Sequence, residues 1–282
     1  MLCACTDNKQ EAISPKTNAN SIANAEIKTS ISYINPEGKS IKERVTLPKD
    51  FRRIETVENS FEHYLQNFIL KPHGSKVYLH SGAPKYTQEY HLAVLDIDTG
   101  KRDLQQCADA VMRLRAEYLY EQDKHDDIQF HFTNGFLANY SRWKSGERIS
   151  VKGNAVKWYD SETSDPSYKT FRKYMNMVFS YAGTLSLDKE LKRKPLEELR
   201  IGDVFIQGGS PGHAVIVVDA AEHRVTGEKL FLIAQSYMPA QDIHIIQKNT
   251  NMKYGPWYSV NEVQQGLQTP EWSFRAEDLK SF

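Results

Sequence analysis

A glycine-rich segment, GDVFIQGGSPGHAVIVVD at residues 202–219, contains a serine and a histidine that could take part in catalysis. Residues 208–212 match the G-x-S-x-G pattern of a serine nucleophile, with Ser210 at the centre. That chemistry needs a helix after the serine, but AVIVV at 214–218 favours a strand, and Pro211 removes a backbone donor. The P-loop and dinucleotide-binding glycine patterns are absent. The sequence therefore disfavours a serine hydrolase and a nucleotide-binding loop.

The histidine of the same segment is the stronger candidate. His213 begins the predicted strand directly after the flexible loop, so we expect its imidazole to be exposed at the rim of a cleft rather than buried. A histidine there can act as a general base if a nucleophile and an orienting partner lie near it. The alternative is a structural histidine at a strand end.

Cys107 is the candidate nucleophile. It lies in the first turns of a predicted helix, where the helix dipole and the unpaired N–H groups favour a thiolate. Asp103 is expected to cap this helix in a box with Gln106, which would place Cys107 a full turn inside. The alternative is a buried small hydrophobe in the apolar stripe from Leu104 to Leu119.

Strand geometry suggests the third member of the site. If Val218 pairs with Leu230 across a hairpin whose loop is residues 219–229, His213 lies opposite Gln235. Any even shift of register keeps these two side chains on one face of the sheet. Gln235 would then orient the imidazole, as the third member of a Cys-His-polar triad does.

Predicted helices and strands alternate from residue 54 onward without sequence repeats, and they must position these residues. Apolar spacing predicts helices over 61–69, from Asp103 to Leu119, and from Asp165-Pro166 to Gly183. Strands are predicted in YHLAVLDID, IQFHF, DVFI, HAVIVV and LFLIAQSY. Because strands dominate the last third, the order predicts one α+β domain over residues 31–282 with a mainly antiparallel sheet.

Charge and composition exclude several classes of partner. Lysine plus arginine and aspartate plus glutamate number 36 each, so no overall field attracts nucleic acid, and we expect none to bind. No run of 18 apolar residues predicts a membrane-spanning helix. With three cysteines, two of them at positions 3 and 5, neither a disulfide framework nor a CxxC zinc site can be drawn, and no metal or other cofactor is expected.

The N-terminal LCAC resembles the end of a bacterial lipoprotein signal, with Cys5 as the lipidated residue. The basic and apolar parts of such a signal do not precede it, so we expect a truncated signal peptide. Residues 6–30 are polar and lack aromatic side chains, which predicts a disordered tether. Contact with a membrane is then expected only through the N-terminal lipid. The alternative is a chance Cys-Ala-Cys terminus of a cytoplasmic protein.

The order cysteine on a helix, Gly-Asp opening a strand, histidine on the next strand and a polar residue on the strand after it resembles the papain-like amidases of bacterial cell walls, the CHAP and NlpC-type groups. The resemblance implies a papain-like core at about residues 103–247, with helices packed on the sheet. It also implies Cys107 as nucleophile, His213 as base and Gln235 as orienting residue, acting on a peptide or peptidoglycan-like substrate.

Over nearly its whole length the chain is similar to a family of bacterial envelope lipoproteins known as domain of unknown function 4846. The segments DLQQCADAVMRLRAEYLY, GGSPGHAVIVVD, LIAQSYMPAQDIHI and TPEW carry this likeness. The resemblance implies a lipid-anchored, periplasm-facing protein of the cell envelope.

Three functions remain open at this stage. The first is a cysteine amidase or peptidase with the Cys-His-Gln triad. The second is a catalytically inactive papain-like module that binds glycan or peptide in the periplasm, with a cleft lined by aromatic side chains. Four such side chains are Trp143, Trp158, Tyr237 and Trp257. The third is a structural assembly partner in the envelope.

Overall fold

The computed structural model describes residues 33–247 and 253–282. Within these ranges the α-helices are α1 Ile41–Arg44, α2 Phe61–Gln66, α3 Cys107–Glu121, α4 Tyr140–Lys144, α5 Tyr168–Tyr181 and α6 Thr184–Glu190. The strands are β1 Phe51–Arg53, β2 His91–Val94, β3 Gln129–His131, β4 Leu137–Asn139, β5 Glu147–Lys152, β6 Ala155–Asp160, β7 Lys192–Arg193, β8 Val204–Gln207, β9 His213–His223, β10 Lys229–Gln235, β11 His244–Ile246, β12 Tyr258–Ser259, β13 Leu267–Gln268, β14 Ser273–Phe274 and β15 Leu279–Ser281.

Nine of these strands form one antiparallel sheet. Its main path runs β2-β11-β10-β9-β8-β15-β7, with β1 pairing to β9 and β12 pairing to β10. The pairs β3–β4, β5–β6 and β13–β14 form three separate two-stranded sheets. Helices and an antiparallel sheet in one compact unit confirm the predicted α+β class.

The centre of the sheet is buried on both faces. The first nine of the eleven residues of β9 are buried, as are nearly all residues of β8 and β10. Such strands have apolar residues at successive positions instead of alternating with polar ones, which is why VFI, HAVIVV and LFLIA were recognisable in the sequence. Helices α2 and α3 pack against β9, so the start of α3 comes close to the sheet.

The first predicted helix is shorter than its apolar spacing indicated. It begins at Phe61, where the Ser60 side chain accepts a hydrogen bond from the His63 backbone N–H, and it ends at Gln66 instead of residue 69. Beyond it, Ile69 forms a β-bridge with Ser40. The hydrogen bonds of this bridge, between residues 39–41 and 68–70, satisfy backbone groups that a longer helix would have used.

Two predictions fall outside the part of the chain that the structure describes: lipidation at Cys5 and the tether at residues 6–30. Among the described residues, no helix is long and apolar enough to cross a membrane.

Candidate active site

Cys107 is the first residue of α3, and Gln106 is its N-cap. The expected Asp103 cap is therefore wrong. The Asp103 carboxylate instead accepts hydrogen bonds from the Ala240 backbone N–H at 2.7 Å and from the Gln106 side-chain amide at 3.0 Å. The Asp109 carboxylate, on the third residue of the helix, accepts from the Gln106 backbone N–H at 3.1 Å. Cys107 thus lies at the N-terminus of the helix, not a full turn inside it.

The Cys107 thiol is mostly buried. Burial raises the pKa of the thiol to about 11, and the nearby Asp109 adds to that shift. The backbone N–H groups of Ala108, Ala214 and Cys107 itself act in the opposite direction and lower the pKa. Ala214, one of these residues, directly follows His213 in the chain.

The glycine loop before His213 is packed too tightly for larger residues. A Cβ added at Gly212 would lie 2.6 Å from the Gly209 carbonyl oxygen and 2.6 Å from Thr184 Oγ1. Thr184 donates a hydrogen bond to that carbonyl at 3.1 Å, which ties the loop to the first residue of α6. Strand β9 follows the loop, so Ser210 lacks the helix that a serine nucleophile requires.

His213 and Gln235 meet, although not in the register that the sequence suggested. The imidazole Nε2 lies 2.8 Å from Gln235 Oε1. Near the site Ile233 pairs with Val217, whereas the predicted register would have paired it with Val215. This shift of two residues is even, so both side chains stay on one face.

Further along the hairpin the predicted pairing of Val218 with Leu230 is wrong. Leu230 pairs with Ala221, and Val218 lies at a β-bulge where it has no partner on β10, since Leu232 pairs with Asp219 and Ile233 with Val217. The loop is also only residues 224–228, since β9 and β10 extend into the segment expected to be the turn. A bulge of this kind leaves one residue unpaired and changes which residues oppose each other.

The expectation of an exposed His213 imidazole is wrong as well. The residue is 2 % exposed, because three aromatic rings surround it, those of Tyr237, Trp272 and Phe274, with centroids 4.9, 5.4 and 5.8 Å from the imidazole. Burial lowers the pKa of His213 to about 4, against a smaller opposing effect of the hydrogen bond to Gln235. The imidazole is therefore neutral at pH 7.

Cys107 and His213 line the same cavity, which has a volume of about 610 Å³. The other lining residues come from the start of α3, from the α5–α6 junction, from the glycine loop and from two aromatic segments; they include Gln106, Asp109, Phe179, Thr184, Gly209, Gly212, Tyr237, Met238 and Trp272. The three predicted site residues are thus brought together, Cys107 and His213 at the cavity wall and Gln235 behind the histidine.

The model of the family called Domain of unknown function (4846) matches residues 41–281. The chain belongs to this family. No curated protein and no solved structure matches it.

Three of the four aromatic residues suggested for the cleft of this family member lie elsewhere. Trp257 is fully buried and donates its indole N–H to the Thr46 carbonyl at 3.0 Å. Trp143 packs against Tyr174, and Trp158 packs against Phe136. Only Tyr237 of the four lines the cavity.

Sequence reasoning missed several residues of this site. Trp272, which lines the cavity, donates its indole N–H to Gln207 Oε1 at 3.0 Å. Glu271 accepts a hydrogen bond from the Gln235 amide at 2.7 Å, and Lys85 pairs with Glu271 at 2.7 Å. The segment TPEW, quoted above for its likeness to the family, contains both Glu271 and Trp272, but no local pattern linked it to the histidine.

Within residues 33–247 and 253–282, no group of three or more His, Cys, Asp or Glu side chains is arranged to hold a metal ion.

Proposed function

We propose that this protein is a papain-like cysteine hydrolase that cleaves amide bonds, with Cys107 as nucleophile, His213 as general base and Gln235 as the residue that orients the imidazole. One observation carries the proposal. A cysteine at the first position of a helix and a histidine at the first position of a strand line one cavity, and the Gln235 amide oxygen lies 2.8 Å from the imidazole of that histidine. A nucleophile and a base at one cavity, with a group that orients the base, are what covalent catalysis requires.

The tautomer of His213 determines which ring nitrogen accepts the thiol proton. Because Gln235 Oε1 can only accept, His213 Nε2 carries the hydrogen of the 2.8 Å bond. Nδ1 of the neutral ring is then the free base, and it takes the thiol proton as Cys107 Sγ bonds to the substrate carbonyl carbon. The imidazolium next gives that proton to the leaving nitrogen as the C–N bond breaks. Water then hydrolyses the thioester, which restores the thiol and the neutral imidazole.

The negative charge that develops on the carbonyl oxygen needs donors. The first N–H groups of a helix have no acceptor within the helix, so the backbone N–H groups at the start of α3 can donate to this oxygen. The helix dipole favours negative charge at the same place. Preorganised donors of this type contribute about 3–4 kcal/mol each to transition-state stabilisation.

A second candidate function is a catalytically inactive module that binds glycan or peptide. The observation that favours it is the protonation state of the site, because a thiol pKa of about 11 and an imidazole pKa of about 4 describe two neutral groups at pH 7. Exposed aromatic faces suit sugar or peptide binding, and Tyr237 and Trp272 line the cavity.

We further propose that the substrate is a cell-wall peptide or another amide, and that the protein is held at the periplasmic side of the bacterial envelope by a lipid on Cys5. The resemblance to cell-wall amidases and to envelope lipoproteins supports this assignment.

The test is a turnover assay. The wild-type protein is incubated with a mixture of bacterial cell-wall peptides, and new amine termini are followed by mass spectrometry. We expect Cys107→Ala and His213→Ala to lower turnover by at least about 10³-fold, and Ser210→Ala to leave it unchanged. Far-UV circular dichroism checks that each variant is folded. Binding of the same peptides with equal affinity to wild type and Cys107→Ala, without turnover in either, would establish the binding module instead.

A further inference from the structure

The amide of Gln235 can be placed either way round, and its orientation decides which ring nitrogen of His213 carries the hydrogen. With the amide oxygen toward the imidazole, the ring must donate; with the amide nitrogen toward it, the ring must accept. Only the first arrangement leaves His213 Nδ1 as a base. The groups behind Gln235 therefore matter for the chemistry in front of it.

Two acceptors face the amide nitrogen of Gln235. The first is the Glu271 carboxylate, whose Oε2 lies 2.7 Å from Gln235 Nε2. An ionised carboxylate has no hydrogen to donate, so the group opposite it must be the NH₂ end of the amide. The Nζ atom of Lys85 lies 2.7 Å from the same oxygen. The side chain of Lys85 is 9 % exposed and that of Glu271 is 16 % exposed. The positive charge of Lys85 therefore balances the negative charge of the Glu271 carboxylate at a place where little water reaches either group.

The second acceptor is His244. Its Nδ1 lies 2.9 Å from the Asp242 carbonyl oxygen, so Nδ1 carries the hydrogen. Burial lowers the pKa of His244 to about 3, which keeps the ring neutral. Its Nε2 then has a free lone pair and lies 3.4 Å from Gln235 Nε2. At this longer distance it is the weaker of the two acceptors.

We propose that Glu271 is a positioning residue that sets the tautomer of His213 through the Gln235 amide. The carboxylate holds the amide nitrogen, the amide oxygen turns to the imidazole, and the imidazole is held with its hydrogen on Nε2 and its lone pair on Nδ1. The importance of this tautomer for turnover rests on the function proposed above. The tautomer itself is a property of the free protein.

The experiment measures the two ring ¹⁵N shifts of His213 in protein labelled with ¹⁵N-histidine, at pH 7 and without substrate; His213→Gln assigns the signals. Since Lys85 donates to the same oxygen, a single Glu271→Gln change would keep an oxygen there. The comparison is therefore made in a Lys85→Met background. Lys85→Met alone keeps the acceptor, whereas Lys85→Met/Glu271→Met removes it without leaving an unpaired charge.

We expect only the Nε2–H tautomer in wild type and in Lys85→Met, and a mixture of both tautomers in Lys85→Met/Glu271→Met. Lys85→Met/Glu271→Gln, which again offers an acceptor oxygen, should move the mixture back toward wild type. A single Nε2–H tautomer in Lys85→Met/Glu271→Met would overturn the proposal. So would a mixture in Lys85→Met alone, because the ion pair and not the acceptor would then be responsible.

Two further measurements separate this proposal from the hydrolase proposal. An Nδ1–H tautomer in wild type overturns the role of Glu271 even if a variant fails to fold. If the protein hydrolyses amides, kcat should fall in proportion to the lost Nε2–H fraction while KM stays unchanged; an unchanged kcat despite mixed tautomers would overturn the base role of His213 and leave the tautomer result standing.

Discussion

Helix α3 carries two buried polar clusters of opposite character. At its first residue, the Cys107 thiol and the His213 imidazole across the cavity are both neutral at pH 7, with pKa values of about 11 and about 4. Six residues further along, Arg113 is a fully buried cation. Its pKa is raised above the ordinary arginine value because Glu117, Tyr168 and Asp98 outweigh the effect of burial.

The partners of Arg113 occupy every side of its guanidinium. It is paired with Glu117 and donates to Gln105 Oε1 at 2.7 Å. It also donates to Asp98 Oδ1 at 2.9 Å and to the Tyr168 hydroxyl at 3.1 Å. That hydroxyl in turn donates to Glu117 at 2.9 Å. A buried charge that is fully paired and hydrogen-bonded is the usual solution for structural stability.

The two clusters differ in whether a bound molecule can react with their groups. Every N–H group of the Arg113 guanidinium is hydrogen-bonded within this cluster, so the buried charge serves the fold, although Asp98 and Tyr168 at the edge of the cluster are partly exposed. The Cys107 cluster faces an open cavity and has uncharged groups that a bound molecule can reach. Strongly shifted groups in a cleft are candidates for function, whereas shifted groups in closed ion-pair networks are not.

The largest effect should come from breaking the closed cluster. Arg113→Met leaves the Glu117 carboxylate buried without its partner, and we expect the free energy of unfolding to fall by about 3–5 kcal/mol. Cys107→Ala leaves no unpaired charge and should cost about 1 kcal/mol. Urea unfolding measures both. The double variant Arg113→Met/Glu117→Leu should recover much of the loss; equal losses in the single and double variants would show that the pair is not the cause.

The next effect is the pH dependence of the open cluster. In the folded protein the pKa of His213, about 4, lies below the ordinary value of 6.5, so the unfolded chain binds a proton first as the pH falls. Stability that is fully present above pH 6.5 is therefore lost between pH 6.5 and 4, by about 3 kcal/mol for this residue. His213→Gln should remove this part of the pH dependence and leave the part that comes from His244, whose pKa burial lowers to about 3. His73→Gln, at an exposed histidine, should change neither part. Parallel curves for wild type and His213→Gln would contradict the assignment.

A smaller effect is expected in the glycine loop that borders the open cluster. Gly212→Ala brings a methyl group within 2.6 Å of Gly209 and Thr184 atoms, and overpacking of this kind costs about 1–3 kcal/mol. Gly183→Ala is the matched control at the same cavity, because its Cβ meets nothing within 4 Å and its φ of 174° suits any residue. Thermal unfolding compares the two. Equal melting temperatures for both variants would show that the loop yields freely.

The smallest effect concerns the single bond that ties this loop to α6. Thr184→Val removes the hydroxyl that donates to the Gly209 carbonyl at 3.1 Å, and a hydrogen bond of this type contributes about 0.5–1.5 kcal/mol. Thr184→Ser keeps the hydroxyl and should behave as wild type. Hydrogen exchange of the loop amides is the sensitive measurement; unchanged exchange in Thr184→Val would mean that the tie does not hold the loop.

The central strands and the shared face of His213 and Gln235 could be predicted from the sequence because they depend on local patterns. Apolar runs indicate buried strands, and strict alternation keeps two residues on one face for any even shift. The register could not be predicted, because an even shift leaves the pattern of apolar residues unchanged and the bulge at Leu232 and Ile233 leaves no mark in it.

The start of α3 and the groups behind Gln235 were missed for a different reason. Asp103 has the right type and spacing for a cap, yet its carboxylate accepts from Ala240, far away in the chain. Lys85 and Glu271 also come from distant segments and meet only in the folded protein. Such contacts are set by tertiary packing, and no local spacing announces them.

The burial of the Cys107 sulfur also bears on how this thiol survives oxidants. Peroxides and disulfides react with the thiolate, and susceptibility to sulfenic acid formation follows thiolate character and exposure. With a pKa of about 11, only about one molecule in 10⁴ carries the thiolate at pH 7. The resting cysteine is therefore slow to oxidise even in an oxidising compartment, and a bound molecule that perturbs this environment would change its redox sensitivity together with its nucleophilicity.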